Sequence, residues 1–416
     1  MSEEIAKAID NLQRNPLFQM SLGSKELFHS NLLAWMIERD SNIANQILHD
    51  WSLCPNKLIQ SINVEREKYH VDLLITIKFT DSTESLIIIE NKLKSIPYKE
   101  QLEKYSKVIV KNFKYISDKH FILLSLTEPS FNLPDNWHYK DYNSLADSLK
   151  KVTEFESVEN EILPLNEIVK AYVNFLKNLH TIISRISKYK QYDFYAKEND
   201  LFKAFKDIRI NDLILKLIHQ KIGFKIRRVL ARCIEEEKNL PLREKSNEVD
   251  LTESLDYYMG TGFSRATGVS DFKILLTSGD DFKYILGIQL QEKQFRFVSH
   301  IITNKNDLNE KHIELVKQMN QDGLWLLGRR LSDGEWLFEN KSLVKCLKTE
   351  EGKKGIGKGR SDHHPFCEYF NGKFIYSYDY LSDTNSIEDI VNGFIEAAKY
   401  IIKNKTALIE ACKILR

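Results

Sequence analysis

The chain has 416 residues, 42% hydrophobic and 29% charged, with a formal net charge of +1. Such a length and composition fit two or three globular domains with sizeable cores, and the balanced charge excludes a broadly basic nucleic-acid binder, so any such surface is a local patch. No apolar run reaches the roughly 18–20 residues that cross a membrane, and five scattered cysteines (Cys54, Cys233, Cys346, Cys367, Cys412) without a CxxC pair fit a reducing compartment better than a disulfide framework. The N-terminal stretch MSEEIAKAIDNLQRN reads as a charged amphipathic helix with no signal-peptide core. The expected location is the cytoplasm, away from any membrane.

A helix is predicted from Lys25 to about Arg39, capped by Ser24, because Leu27, Phe28, Leu32, Trp35 and Met36 recur at helical spacing. Glu26 near its start has two readings. It is either a first-turn acid favoured by the helix dipole or a carboxylate reaching toward a metal site. His29 and Ser30 read as polar groups packed on the helix. A second helix over 43–53 precedes a strand near 59–67, whose Glu65 and Glu67 read as a solvated edge.

The next stretch is the chemically informative one. Two apolar β-type runs, 71–79 and 86–92, flank the polar turn 80–85. The first carries a lone acid, Asp72, and the second ends Glu90-Asn91-Lys92. Charged groups at the ends of apolar strands are costly to bury unless paired or metal-bound. In an antiparallel hairpin centred on Asp81, opposed positions sum to 162, so Asp72 faces Glu90, with Lys92 on the same side. A slip of one residue would send Asp72 to the other face. Two carboxylates that close require a cation or a shared proton, and hard oxygen donors suit Mg²⁺ or Mn²⁺. Pro97 marks the start of a helix over 98–113, on which Gln101 and Tyr105, four apart, share a face. Lys104, Lys107, Lys111 and Lys114 line the same helix as a solvated face. A short strand over 120–126 completes a strand–helix–strand unit, which implies a right-handed parallel crossover. The core order is therefore helix, three strands, helix, strand, closed by 137–139 and a helix over 142–151.

An Asp in one strand, Glu-x-Lys ending the next, and Gln-x-x-x-Tyr on the following helix resemble the PD-(D/E)XK nuclease superfamily. The matching residues are Asp72, Glu90, Lys92, Gln101 and Tyr105. The segment around Glu26, where an acid precedes an apolar run, resembles the first helix of one bacterial branch. Val71 stands where the proline of the superfamily's name would be. The resemblance covers roughly residues 20–150. It implies a restriction-endonuclease-like α/β core and metal-dependent hydrolysis of nucleic acid, with DNA expected. It also implies a bacterial or phage-related setting in defence, restriction or repair. Asp72, Glu90 and the Asn91 carbonyl are the expected ligands of Mg²⁺ or Mn²⁺. Lys92 would orient the attacking water, Glu26 would sit at the metal's edge, and Gln101 and Tyr105 would hold the substrate strand or a site carboxylate.

Beyond this domain, placed at 1–152, a helical region is expected over 153–245 and an α+β domain over 246–416. The helical region carries a basic cluster, Lys225, Arg227, Arg228 and Arg232, read as a charged outer face ahead of a phosphate-tracking patch. In the α+β domain, 271–278, 282–291 and 294–300 read as a β-meander, with helices over 308–321 and 387–405 and a last one to 416. A protein partner or a second copy would dock through this C-terminal half. The loop EGKKGIGKGR at 351–360 lacks P-loop spacing, and His363, His364 and Cys367 with a distant Cys346 match no zinc module. Two other classes remain open: a nuclease-fold binding module without catalysis, and a scaffold in which the hairpin charges form a structural ion pair.

Overall fold

The computed structural model describes residues 2–54, 57–93, 99–129, 132–154, 163–193, 199–238, 257–264, 267–325, 367–382 and 384–415, with the backbone alone at 23–26, 163–164, 233–238, 261–264 and 267–268. Pro97, the 351–360 loop, and His363, His364 and Cys346 lie outside the described residues, as does the side chain of Glu26. The chain divides into two compact units: Met1–Lys188 with Lys203–Leu213, and Tyr189–Phe202 with Ile214–Arg416.

The first unit opens with helix α1, Glu3–Arg14. Ser2 caps it, Glu3 and Glu4 occupy its first turn, and Ile5, Ala8, Ile9 and Leu12 form its buried stripe. Helix α2, Pro16–Arg39, begins well before the predicted Lys25. Its signal is the pair Asn15-Pro16: the Asn15 side chain accepts from the amides of Leu17 and Phe18, and Pro16 takes the first helical position, where no donor is needed. Ser24 is therefore not a cap. Glu26 lies mid-helix, so the helix-dipole reading of that acid fails. Helix α3, Ser41–Asp50, follows an Asp40 cap.

A five-stranded sheet comes next, in spatial order β1 (Ile59–Arg66), β2 (Leu73–Phe79), β3 (Glu84–Lys92), β4 (Asp118–Ser125) and β5 (Trp137–Asp141). β1, β2 and β3 are antiparallel neighbours, while β4 and β5 run parallel to β3. The parallel step from β3 to β4 is bridged by helix α4, Lys99–Asn112. One face of β3, with Leu86 and Ile88, packs under α4 against Leu102, Tyr105 and Ile109. The opposite face carries Ile87 and Ile89, which line an apolar pocket together with Leu33 and Ile37 of α2 and Ile47 of α3. Helices α5 (Tyr142–Glu154) and α6 (Leu163–Ser187) complete the unit, which is the restriction-endonuclease-like α/β core the sequence implied.

Helix α7 is Asp200–Asp207 and helix α8 is Asn211–Lys238. On α8, Ile222, Ile226 and Leu230 are buried, Arg228 and Arg232 are exposed, and Lys225 pairs with Glu388 at 2.7 Å. The second unit holds an antiparallel sheet of six strands: β6 (Tyr257–Ser264), β7 (Thr267–Gly279), β8 (Phe282–Gln291), β9 (Gln294–Thr303), β10 (Cys367–Tyr369) and β11 (Phe374–Tyr380). The order is β10-β11-β9-β8-β7-β6. The last two strands were not predicted. They frame a turn in which Asn371 and Gly372 take positive φ of 55° and 80°. Helices α9 (Asp307–Gln321), α10 (Ile387–Lys403) and α11 (Lys405–Ala411) belong to the same unit. Trp325 lies edge-on to Phe297 at 4.7 Å and donates its indole N–H to Ser377.

Two histidines tie the stability of this unit to pH. Burial lowers His219 from 6.5 to about 4 and His312 from 6.5 to about 3. His312 is held neutral between the Gly372 carbonyl at 2.6 Å and Ser299 Oγ at 2.5 Å. Both groups bind a proton more weakly in the folded than in the unfolded chain. Their contribution is therefore complete above about 6.5 and is lost as pH falls below that value. Each removes about 2 kcal/mol by pH 5. Calorimetric melting should accordingly show the transition of this unit moving to lower temperature between pH 7 and pH 5, and little change between pH 7 and pH 8.

Candidate active site

The β2–β3 hairpin adopts the expected register: Leu73 faces Ile89 and Lys78 faces Glu84, each pair summing to 162. Its turn is tied by Asp81, whose carboxylate accepts from both the amide and the hydroxyl of Thr83. Continuing the ladder by one position sets Asp72 against Glu90. Asp72 follows a short loop in which Glu67, Tyr69 and His70 hold positive φ of 55°, 55° and 68°. Non-glycine residues pay for that conformation, typically 1–3 kcal/mol each, and such strain collects where a side chain must be aimed. Tyr69 stacks edge-on against Phe113 at 5.6 Å, and the Glu67 amide donates to the Asp72 carbonyl, which anchors the loop.

Glu90, Lys92, Gln101 and Tyr105 interlock, and Asp72 is tied to the same strand. Asp72 Oδ2 accepts from the backbone amide of Asn91 at 2.7 Å. Glu90, only 2% exposed, meets Lys92 Nζ at 2.7 Å. The same Glu90 oxygen accepts from Gln101 Nε2 at 2.9 Å, and Gln101 Nε2 lies 2.7 Å from the Tyr105 hydroxyl. One turn of α4 thus grips the buried carboxylate. Burial raises the Tyr105 phenol, and the nearby carboxylates of Glu90 and Asp72 act in the same direction.

Asn91 faces the other way, as strand alternation requires. Its amide donates to Ser30 Oγ at 2.9 Å, and the Tyr142 hydroxyl donates to its side-chain oxygen. Beside it, His29 Nδ1 lies 2.9 Å from the Tyr172 hydroxyl. His29 and Ser30 are thus packed polar groups, and Ser30 with Tyr142 pins the residue between Glu90 and Lys92 from behind. Tyr142 had no signal in the sequence beyond its apolar neighbours. Glu65 pairs with Lys68 at 2.5 Å and stays outside this cluster.

Segment 14–209, which contains every residue of this cluster, matches the family model described as the PD-(D/E)XK nuclease superfamily. The similarity is confined to this segment, which holds the first sheet and the helices around it. No curated protein and no solved structure matches the chain. PD-(D/E)XK nucleases in general hydrolyse phosphodiester bonds and use divalent metal ions. The cluster fits such an ion on its own chemistry. Its donors are hard carboxylate oxygens on adjacent cross-strand positions. Two carboxylates and one ammonium also sum to one negative charge, which a buried site must offset. Among the described residues, no helix is long and apolar enough to cross a membrane.

Proposed function

We propose that this chain hydrolyses phosphodiester bonds in DNA with Mg²⁺ or Mn²⁺ held by Asp72, Glu90 and the carbonyl of Asn91. The observation that supports this reading best is Asp72 one position beyond the Leu73–Ile89 pair, its carboxylate on the Asn91 amide at 2.7 Å, with Lys92 at 2.7 Å from Glu90. A divalent ion bound there offsets charge on the phosphate and lowers the pKa of a water beside it.

The protein's own groups do the rest. The Asn91 amide fixes one Asp72 oxygen and leaves the carboxylate aimed along the hairpin. Gln101, itself positioned against Tyr105, holds Glu90 in a single orientation. Lys92 orients the attacking water, takes part in its deprotonation and neutralises charge that builds on the phosphate. Glu26, carried on α2, would assist at the metal's edge. The exposed Lys104, Lys107, Lys111 and Lys114 give the flank of α4 positive charge for the phosphate backbone. The setting proposed for this activity is defence, restriction or repair in a bacterial cytoplasm.

The test is cleavage of labelled single- and double-stranded DNA, with RNA as the comparison arm, in Mg²⁺, Mn²⁺ or chelator. Cleavage of DNA with either ion and none in chelator is expected. Binding without cleavage under every condition would favour the non-catalytic module.

A further inference from the structure

A second set of donors lies at the other end of β3 and β4, on the opposite face of the sheet from Glu90. Asp118 and His120 are two apart on β4 and so share a face. Ser85 of β3 is the register partner of Asp118. Cys54, in the turn after α3, is buried over them. Its Sγ lies 3.6 Å from His120 Nε2, 3.9 Å from Asp118 Oδ2 and 3.6 Å from Ser85 Oγ. Asp118 Oδ1 lies 3.1 Å from the same His120 nitrogen, and the Ser85 hydroxyl donates to the other Asp118 oxygen.

A thiol, an imidazole and a carboxylate could form a nucleophile with its base and orienting acid. That arrangement needs the carboxylate on the ring nitrogen remote from the thiol. Here sulfur and carboxylate converge on one nitrogen, Nε2. Convergence of three donors on one point is what a tetrahedral cation requires. Zinc, at about 2.3 Å from sulfur and about 2.0–2.1 Å from nitrogen or oxygen, sets sulfur about 3.6 Å from either and nitrogen about 3.4 Å from oxygen. The sulfur–nitrogen distance of 3.6 Å matches that spacing, and one ligand atom from each of the three residues lies within 4.8 Å of the other two. A thiolate and a carboxylate also balance the two charges of zinc, so a partly buried site stays neutral. Sulfur disfavours Mg²⁺ and Ca²⁺, and the Ser85 hydroxyl serves as the outer partner that orients the Asp118 ligand.

We infer that Cys54, Asp118 and His120 bind one zinc ion, with a water completing the tetrahedron, and that the ion ties the turn after α3 to the start of β4. The site is separate from Asp72 and Glu90 and stands or falls independently of the nuclease reading. The experiment titrates the full-length, metal-free, reduced chain with Co²⁺ and with Zn²⁺, following absorbance and heat. Wild type should take up Co²⁺ with a thiolate-to-cobalt charge-transfer band, which Zn²⁺ then displaces. Cys54→Ser should lose the band, and His120→Ala should bind Zn²⁺ at least about 100-fold more weakly. Asp72→Ala should keep the thiolate-to-cobalt band, which reports sulfur ligation alone. No band in wild type, or a band of undiminished affinity in both Cys54→Ser and His120→Ala, would overturn the assignment. Should Cys54→Ser fail to fold, the wild-type titration and His120→Ala decide it.

Discussion

Lys92→Ala is expected to slow metal-dependent cleavage by about 10²–10⁴-fold, the range usual for loss of a group that moves a proton or meets developing charge. It should also destabilise the chain. The Lys92 side chain is 12% exposed, and its ammonium is a partner of a carboxylate that is 2% exposed. Removing one member of such a pair typically costs about 3–5 kcal/mol, because the other charge stays buried. Lost activity in this variant alone would therefore not separate a catalytic lysine from a structural one. The double replacement Glu90→Gln with Lys92→Met does. It keeps the volumes and removes both charges, so stability should return to near the wild-type value or above it. Cleavage should stay absent. Melting temperature and nicking rate, measured on the same preparations, give the comparison. A scaffold whose hairpin charges form only an ion pair would gain or keep stability and show no cleavage in the parent either. A double variant that cleaves at the wild-type rate would remove both residues from the chemistry.

Ile88→Ala is expected to cost about 2–5 kcal/mol. Ile88 is fully buried, two positions before Glu90 on the same face of β3, and belongs to the core under α4 with Leu102 and Ile109. The cavity would open between the strand that carries Glu90 and the helix that carries Gln101. Because Gln101 Nε2 reaches Glu90 at 2.9 Å, a loosened α4 loses its grip on the carboxylate. A displacement of about 1 Å at a site of this kind can cost about 10²-fold in rate. The prediction is a lower denaturation midpoint together with a cleavage rate that falls in the fraction that remains folded. Ile88→Val, which removes a single methylene, should cost about 0.5–1.5 kcal/mol and leave the rate close to wild type.

The hairpin was legible because its signals are local and redundant. Two apolar runs, a turn with Asp81 at its centre and an acid at each end leave one register that puts both acids on one side. The structure pairs Leu73 with Ile89 accordingly. The helix–strand order of the core was legible for the same reason, since short, nearly continuous apolar runs bounded by polar turns mark its central strands. The start of α2 was read too late because the apolar stripe from Leu27 outweighed Asn15-Pro16, although the cap and the helix-starting proline were both present. The β10–β11 hairpin had its own signal, Asn371-Gly372 before the alternating run FIYSYDY. Its first strand is three residues long, too short to show a period. Cys54, Asp118 and His120 had no sequence signal at all. Cys54 and Asp118 are 64 positions apart, and strand pairing with a helix-end turn brings them together. The pinning of Asn91 by Ser30 and Tyr142 has the same origin: tertiary contacts across the sheet, invisible to spacing.

The most direct measurement of the central claim is the DNA cleavage rate as a function of Mg²⁺ concentration for wild type and Asp72→Ala, with circular dichroism confirming that both are folded. Wild type should show saturable dependence on the ion, and Asp72→Ala should show no cleavage at any concentration. A folded Asp72→Ala chain that cleaves at the wild-type rate with the same Mg²⁺ dependence would contradict the account.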